Sequence, residues 1–231
     1  MIEKNHIVPV IDFYNEIARE YDQRLTEDDM RVRKIVGEVF RQYVPKGNVL
    51  DFGSGTGLDL YWLLKHEYRV YSLEPSVSMR TIAKNKSYSI RIKDLFFLEE
   101  NIDVNNWTEN YLPCEEKMDG VLANFAVLNC IKDMTVFFER ISLICENECL
   151  LIACILDARP HLWVKRYGIK NFIRGILRER ITINNSYNGM VHKAYIHSLR
   201  RMRISFRHYF NFISYDPIEG SDFTLLILKK K

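Results

Sequence analysis

The stretch Val49-Leu50-Asp51-Phe52-Gly53-Ser54-Gly55-Thr56-Gly57 constrains this 231-residue chain more than any other. Apolar residues bring a strand to an acid, and three alternate glycines carry the backbone onward. The chain then enters Leu58-Asp59-Leu60-Tyr61-Trp62-Leu63-Leu64, whose apolar spacing is helical. Glycine takes positive φ without strain and lets a ligand approach the backbone closely. A helix starting there presents unpaired N–H groups. The unit predicts an α/β fold whose ligand sits at the carboxyl ends of the strands.

The spacing restricts the ligand. A dinucleotide fingerprint reads G-x-G-x-x-G. Here the third glycine comes one residue early, and Leu58 stands in its place. Asp51 would repel a pyrophosphate and attract a cationic amino-acid group.

This stretch resembles motif I of the class I S-adenosylmethionine-dependent methyltransferases, in which an apolar strand and an acid lead into G-x-G-x-G. The resemblance continues in family order. Arg69-Val70-Tyr71-Ser72-Leu73-Glu74 reads as a second strand ending in an acid, Pro75-Ser76-Val77-Ser78-Met79 opens a helix, and Met118 to Phe125 reads as a fourth strand. It covers about residues 45 to 156. It implies a Rossmann-like, doubly wound, seven-stranded and mostly parallel sheet with an antiparallel last strand and helices on both faces. It also implies S-adenosyl-L-methionine as cofactor. Carried over residue by residue, it gives cofactor-binding roles to Asp51, Phe52, Gly53, Ser54, Gly55 and Gly57. Glu74 takes the ribose diol, since one carboxylate can accept two hydrogen bonds. Pro75 follows it, Met79 packs near the adenine, and Asp103 with Val104 lies beside the base, Asn101 competing for that position. Asn124 and Phe125 lie against the methionine end.

Before the core, the tract from Asp12 to Asp22 resembles the tyrosine-rich N-terminal helix of small-molecule members, which implies that Tyr14 and Tyr21 close over cofactor and acceptor. A second helix is expected from Asp28 to Tyr43, stopped by Pro45-Lys46-Gly47. The chain is expected to be a single methyltransferase domain over 1–231. Its parts are a helical cap over 1–45, a cofactor core over 46–157, a helical acceptor-side insertion over 158–200, and a final helix with a strand pair over 201–231. Within the insertion, residues 159–180 interleave aromatic with basic residues as one or two amphipathic helices. Residues 181–198 are less regular, with Asn184-Asn185-Ser186 and Asn188-Gly189 as turn signals. The helix after strand four carries Met134, Phe137, Phe138, Ile141 and Ile144 on one stripe, with Asn147 as its stop. A last helix crosses 197–207, before antiparallel strands at Phe210–Ile213 and Phe223–Leu228.

Charge is divided unevenly. Residues 159–231 hold 15 Lys and Arg against 4 Asp and Glu, whereas residues 1–158 hold 18 against 26. Five cysteines, mostly in apolar surroundings and without metal-ligand spacing, read as reduced core residues and no metal site. No stretch approaches membrane-spanning length and the N-terminal residues lack an apolar run of signal-peptide length, so a cytoplasmic protein without a membrane partner is expected.

The reaction implied is in-line displacement of methyl from a sulfonium, which needs alignment and exclusion of water. A general base is required only for a protonated acceptor. Tyr195-Ile196-His197-Ser198 resembles a stretch before the last helix of some small-molecule members. His197 leads the candidates, with Tyr195, His161 and His192 behind it. The acceptor is expected to be a small molecule, acidic or aromatic. Asn124-Phe125-Ala126-Val127 lacks the prolines of the base-methylating motif. An RNA methyltransferase using the basic C-terminal half, and a non-catalytic cofactor-binding partner protein, are the other readings. The oligomeric state is not legible.

Overall fold

Seven strands form the main sheet among the described residues of the computed structural model, which are 6–66, 68–87, 93–159, 164, 168, 169, 173 and 180–231. They are β2 (Asn48–Phe52), β3 (Arg69–Leu73), β4 (Leu95–Leu98), β5 (Met118–Ala123), β6 (Cys145–Leu156), β9 (Phe210–Pro217) and β10 (Phe223–Lys230). Their order across the sheet is β4-β3-β2-β5-β6-β10-β9. The pairs β3–β4, β2–β3, β2–β5 and β5–β6 are parallel, and β10 runs antiparallel to both β6 and β9. The order reverses at β2, whose neighbours lead outward to opposite edges. That switch point opens a crevice beyond the strands' carboxyl ends.

Both faces are covered, which is why Cys149–Leu156 of β6 reads as an unbroken apolar run. One face packs under α5 (Met134–Ser142) and α6 (Leu199–Phe206), with Phe137, Phe138, Met202 and Phe206 against Leu50, Val121 and Leu151. The other packs under α2 (Glu27–Tyr43), α3 (Leu60–Lys65) and α4 (Val77–Ser87), with Val36, Phe40 and Leu63 against Val49, Leu122 and Ile152. Each fully buried side chain of this size contributes about 1.5–3 kcal/mol. A capping box starts α2: Thr26 Oγ1 accepts the Asp29 N–H, and Asp29 accepts the Thr26 N–H. α2 begins one residue before its expected start. α5 ends at Ser142, and Asn147 lies inside β6 instead of stopping the helix.

The segment 158–200 departs from the helical insertion expected of it. Residues 164, 168, 169 and 173 are helical. The rest of 160–179, including His161 and most of the interleaved aromatics and arginines, lies outside the described residues. From Arg180 the chain forms a hairpin of β7 (Arg180–Tyr187) and β8 (Met190–His197), closed by Asn188 and Gly189 at φ 45° and 74°. Two consecutive left-handed residues suit the twist of a two-residue hairpin, and Asn-Gly is the pair that adopts them most readily. Near the other end of the chain, β1 (His6–Ile7) joins β8 in parallel, and α1 (Val10–Ile17) packs its Phe13 against Tyr187 and His192. Cap and hairpin therefore form one three-stranded unit over the crevice.

Candidate functional site

The glycine turn and the end of β3 are tied together by one carboxylate. Glu74 Oε2 accepts the Gly55 N–H and Oε1 the Ser76 N–H, each at 2.8 Å. Burial raises the Glu74 pKa, and these two bonds offset part of the effect. Each oxygen keeps further lone-pair capacity. Gly53, Gly55 and Gly57 have φ of 71°, 57° and 80°. A Cβ at Gly53 would lie 2.1 Å from a Val127 methyl, whereas one at Gly55 would meet no atom within 4 Å. Gly53 is thus required by packing, and Gly55 leaves open space.

That space belongs to a cavity of about 500 Å³ lined by Phe52, Gly53, Ser54, Gly55, Glu74, Pro75, Met79, Asp103, Val104, Asn124, Phe125, Tyr14 and Tyr21, each expected from the sequence. Gly57 and Asp51 do not line it. Gly57 serves helix packing, its Cα facing Leu60 and Ala83. Asp51 is 1 % exposed, because alternation along β2 gives Leu50 and Phe52 to one core and turns the acid the other way. Asn101, the competitor of Asp103, is occupied elsewhere, its amide donating to the Leu112 carbonyl. Asp103 caps the turn that starts at Val104 by accepting from the Asn105 N–H.

Three residues of this region were not singled out from sequence. Arg33 reaches from α2 to Asp59, Nη1 to Oδ2 2.7 Å, and lies over the Phe125 ring at 4.5 Å. Asn124 Nδ2 donates to the same Asp59 oxygen at 2.9 Å, and Thr56 Oγ1 donates to Asp22 at 2.5 Å. Burial opposes the Arg33 charge, but Asp59 and the neighbouring acids hold it firmly protonated. Burial, and then Asp59, push Asp51 well above the usual carboxylate range, against the pull of Arg33. Two buried atoms of opposite character have no hydrogen-bond partner here, Asp51 Oδ2 and Arg33 Nε. Such a pair matches the ammonium and carboxylate of a free amino-acid group. Phe125 and Ala126 hold φ of 54° and 65°, strained values for residues with a side chain. They turn the chain sharply after β5.

A second cavity of about 470 Å³ adjoins the first and shares Tyr14, Tyr21 and Phe125 with it. Its remaining walls include Phe13 of α1, Asn184 and Asn185 of β7, His192 of β8, and Asp157 beyond β6. The Tyr14 hydroxyl lies 3.8 Å from the Cys130 thiol. That neighbour, with burial, pushes Tyr14 well above the ordinary phenol range, and burial pushes Cys130 to about 11. The leading catalytic candidates, His197 and Tyr195, line neither cavity. His197 Nε2 bonds the Ile131 carbonyl at 3.0 Å, and Tyr195 lies under the Arg180 guanidinium at 4.9 Å. Five positions separate His197 from His192 on β8, so the two leave the strand on opposite faces.

Comparison with known proteins agrees with this geometry. A family model described as a methyltransferase domain matches residues 50–153. An uncharacterized methyltransferase of Bacillus mycoides is 34% identical over 127 residues, spanning 50% of this chain and 59% of its own length. The match thus takes in little more than half of that relative. Among solved structures, the complex of DhpI with S-adenosylhomocysteine superposes with a TM-score of 0.68 at 16% identity, covering 95% of this chain and 94% of that one. The Burkholderia thailandensis 1,6-didemethyltoxoflavin-N1-methyltransferase, with 1,6-didemethyltoxoflavin and S-adenosylhomocysteine bound, gives 0.63 at 13% identity, covering 97% and 91%. At such identities these two bear on the fold alone. Motif, sheet order and matched family model agree on a methyltransferase domain over residues 50–153, with the motif order of the class I S-adenosylmethionine-dependent methyltransferases.

Proposed function

We propose that the chain binds S-adenosylmethionine in the first cavity and catalyses transfer of its methyl group to a small molecule held in the second. The observation that carries this reading is the junction of the two cavities at Tyr14, Tyr21 and Phe125. Bound there, the cofactor supplies an electrophilic methyl on a sulfonium whose leaving group is neutral. Glu74 has lone pairs left for a ribose diol, and Asp103 with Val104 borders the place for the base. The unpartnered Arg33 Nε and Asp51 Oδ2 suit the amino-acid end. Asp51 lies behind the wall and acts on a cation through a medium of low dielectric, where charge is felt strongly. The aromatic rings at the junction exclude water and align the acceptor.

A small acceptor is favoured over RNA because the second cavity lies between α1 and the β7–β8 hairpin, with walls of aromatic rings and amides. The didemethyltoxoflavin enzyme offers a precedent for a small-molecule acceptor on this fold. The arginines that would favour an acidic acceptor lie mostly in 160–179. Of the two flanking them, Arg159 is bound to Asp157, and Arg180 donates to the Lys132 carbonyl. The ring-lined walls among the described residues favour the aromatic alternative. The cysteines are free thiols, which suits a cytoplasmic setting.

The experiment is transfer of labelled methyl from S-adenosylmethionine in the presence of a small-molecule cell extract and, separately, of total RNA. The proposal expects protein-dependent label in the low-mass fraction. Label in RNA alone contradicts the acceptor class. Tight cofactor binding with no transfer to either pool supports the non-catalytic reading instead.

A further inference from the structure

The second cavity contains a buried titratable ring with one nitrogen unsatisfied. His192 is 1 % exposed, and its Nε2 lies 3.0 Å from Asn185 Nδ2. Its Nδ1 has no hydrogen-bond partner. The ring packs against Phe13 at 4.5 Å and Tyr14 at 5.5 Å between centroids. An amide can present either its oxygen or its nitrogen to a histidine, and that choice sets the tautomer. With the Asn185 amide turned over, so that its oxygen takes the place of Nδ2 and accepts from Nε2–H, Nδ1 keeps a lone pair.

We propose that His192, positioned by Asn185, is the proton acceptor of the second cavity, and that this cavity takes a neutral molecule bearing the N–H or O–H to be methylated on a flat unsaturated ring. The proposal rests on the methyl-transfer reading above. Four features support it.

Shape comes first. Phe13, Tyr14, Tyr21 and Phe125 offer ring faces and edges, while Asn184 and Asn185 offer hydrogen bonds. Second is charge. Arg24 pairs with Glu20 at 3.7 Å, Asp157 accepts from Arg159, and Asp222 also has a partner. Among the described residues, an ionic guest would find no spare counter-charge, which a buried site penalises. Third is the state of the ring. Burial lowers the His192 pKa below the usual histidine value, against an opposing influence of the Lys193 backbone, so the imidazole is neutral at neutral pH. Among the described residues, the titratable or charged groups around it are the Tyr14 phenol of α1 and, at the other cavity walls, Tyr21, Arg24, Asp157 and Asp222. Asn185 of β7 is neutral, and Lys193 on its own strand is exposed. Tyr14 stays protonated, so no anion beside the ring comes from α1. Fourth is chemistry. The acceptor atom gives its electron pair to the methyl carbon, the carbon–sulfur pair leaves with sulfur, and the acceptor's proton passes to Nδ1. A neutral imidazole suits an acceptor that must lose a proton.

The test uses the full-length protein, isotopically labelled at histidine and saturated with S-adenosylhomocysteine. The His192 ring is followed by NMR during addition of 2-naphthol, and separately of the anion 2-naphthoate. The proposal expects saturable His192 shifts with naphthol at least tenfold tighter than any with naphthoate. His192→Asn should lose the naphthol affinity while still binding S-adenosylhomocysteine. Asn185→Asp should move the His192 titration midpoint upward by putting a carboxylate against Nε2, a change that a merely structural residue would not produce. Normal S-adenosylhomocysteine binding with His192 indifferent to naphthol, or with naphthoate the tighter ligand, overturns the proposal. Failure to bind S-adenosylhomocysteine overturns the methyl-transfer reading itself and the proposal with it.

Discussion

Glu74 accepts the backbone N–H of Gly55 at 2.8 Å, so the residue assigned to the ribose also shapes the turn under it. Glu74→Ala is predicted to weaken S-adenosylmethionine binding by about 1–3 kcal/mol through lost charge-assisted hydrogen bonds. It should also lower folding stability by about 1–2 kcal/mol, because the Gly55 and Ser76 N–H groups lose their acceptor. Calorimetry and denaturant unfolding read the two effects separately. Unchanged cofactor affinity would show that the ribose lies elsewhere.

The glycines separate packing from binding. Gly53→Ala drives a methyl into Val127 at a left-handed backbone position and should destabilise the fold by about 2–4 kcal/mol. Gly55→Ala meets no atom and costs about 1 kcal/mol of backbone strain, but places its methyl in the cofactor cavity. The first variant should fail in thermal unfolding, the second in ligand binding. Equal loss of stability in both would contradict this division.

That the glycine turn and the second strand-end acid would line one cavity was legible because these signals are local. A strand, an acid, alternate glycines and a second acid at the next strand end lie within a few residues of one another and need no long-range contact to be read. Of the second cavity, the cap tyrosines and the chain after residue 158 were expected beside the acceptor, but the hairpin was not. Ile181 and Ile183 alternate with polar residues as a strand does, yet the asparagines of β7 read as a loop. Asn188-Gly189, the strongest hairpin signal in the chain, was taken for a turn in irregular structure. Without the hairpin there was no way to tell that His192 faces the cavity and His197 the Ile131 carbonyl. Arg33 was missed for a similar reason: where α2 delivers it depends on how that helix crosses the sheet.

Asp51 should trade stability for affinity. Its pKa is raised in the folded state, so its favourable share of stability is present below the unfolded value and is lost as pH rises through the folded one. Asp51→Asn should therefore melt like the parent at low pH and above it near neutrality, the gap widening as pH increases. Its S-adenosylmethionine affinity should fall by about 1–3 kcal/mol through loss of the charge. A gap that narrows with rising pH would contradict the assignment.

Cap and hairpin should respond together. β1 pairs with β8, Val8, just after it, donates its N–H to Val191 O at 2.9 Å, and α1 and the turn after it carry Tyr14 and Tyr21 of the junction. Hydrogen exchange with S-adenosylhomocysteine should slow in residues 10–24 and in 180–197 as well as at the glycine turn. Protection confined to residues 49–60 and 74–80 would contradict a joint lid.

Calorimetric titration with S-adenosylmethionine, S-adenosylhomocysteine and NAD tests the central assignment most directly. The alternate-glycine turn, Leu58 where a dinucleotide site needs glycine, and the buried Asp51 predict binding of the first two and little or none of NAD. NAD binding more tightly than S-adenosylmethionine would contradict the account.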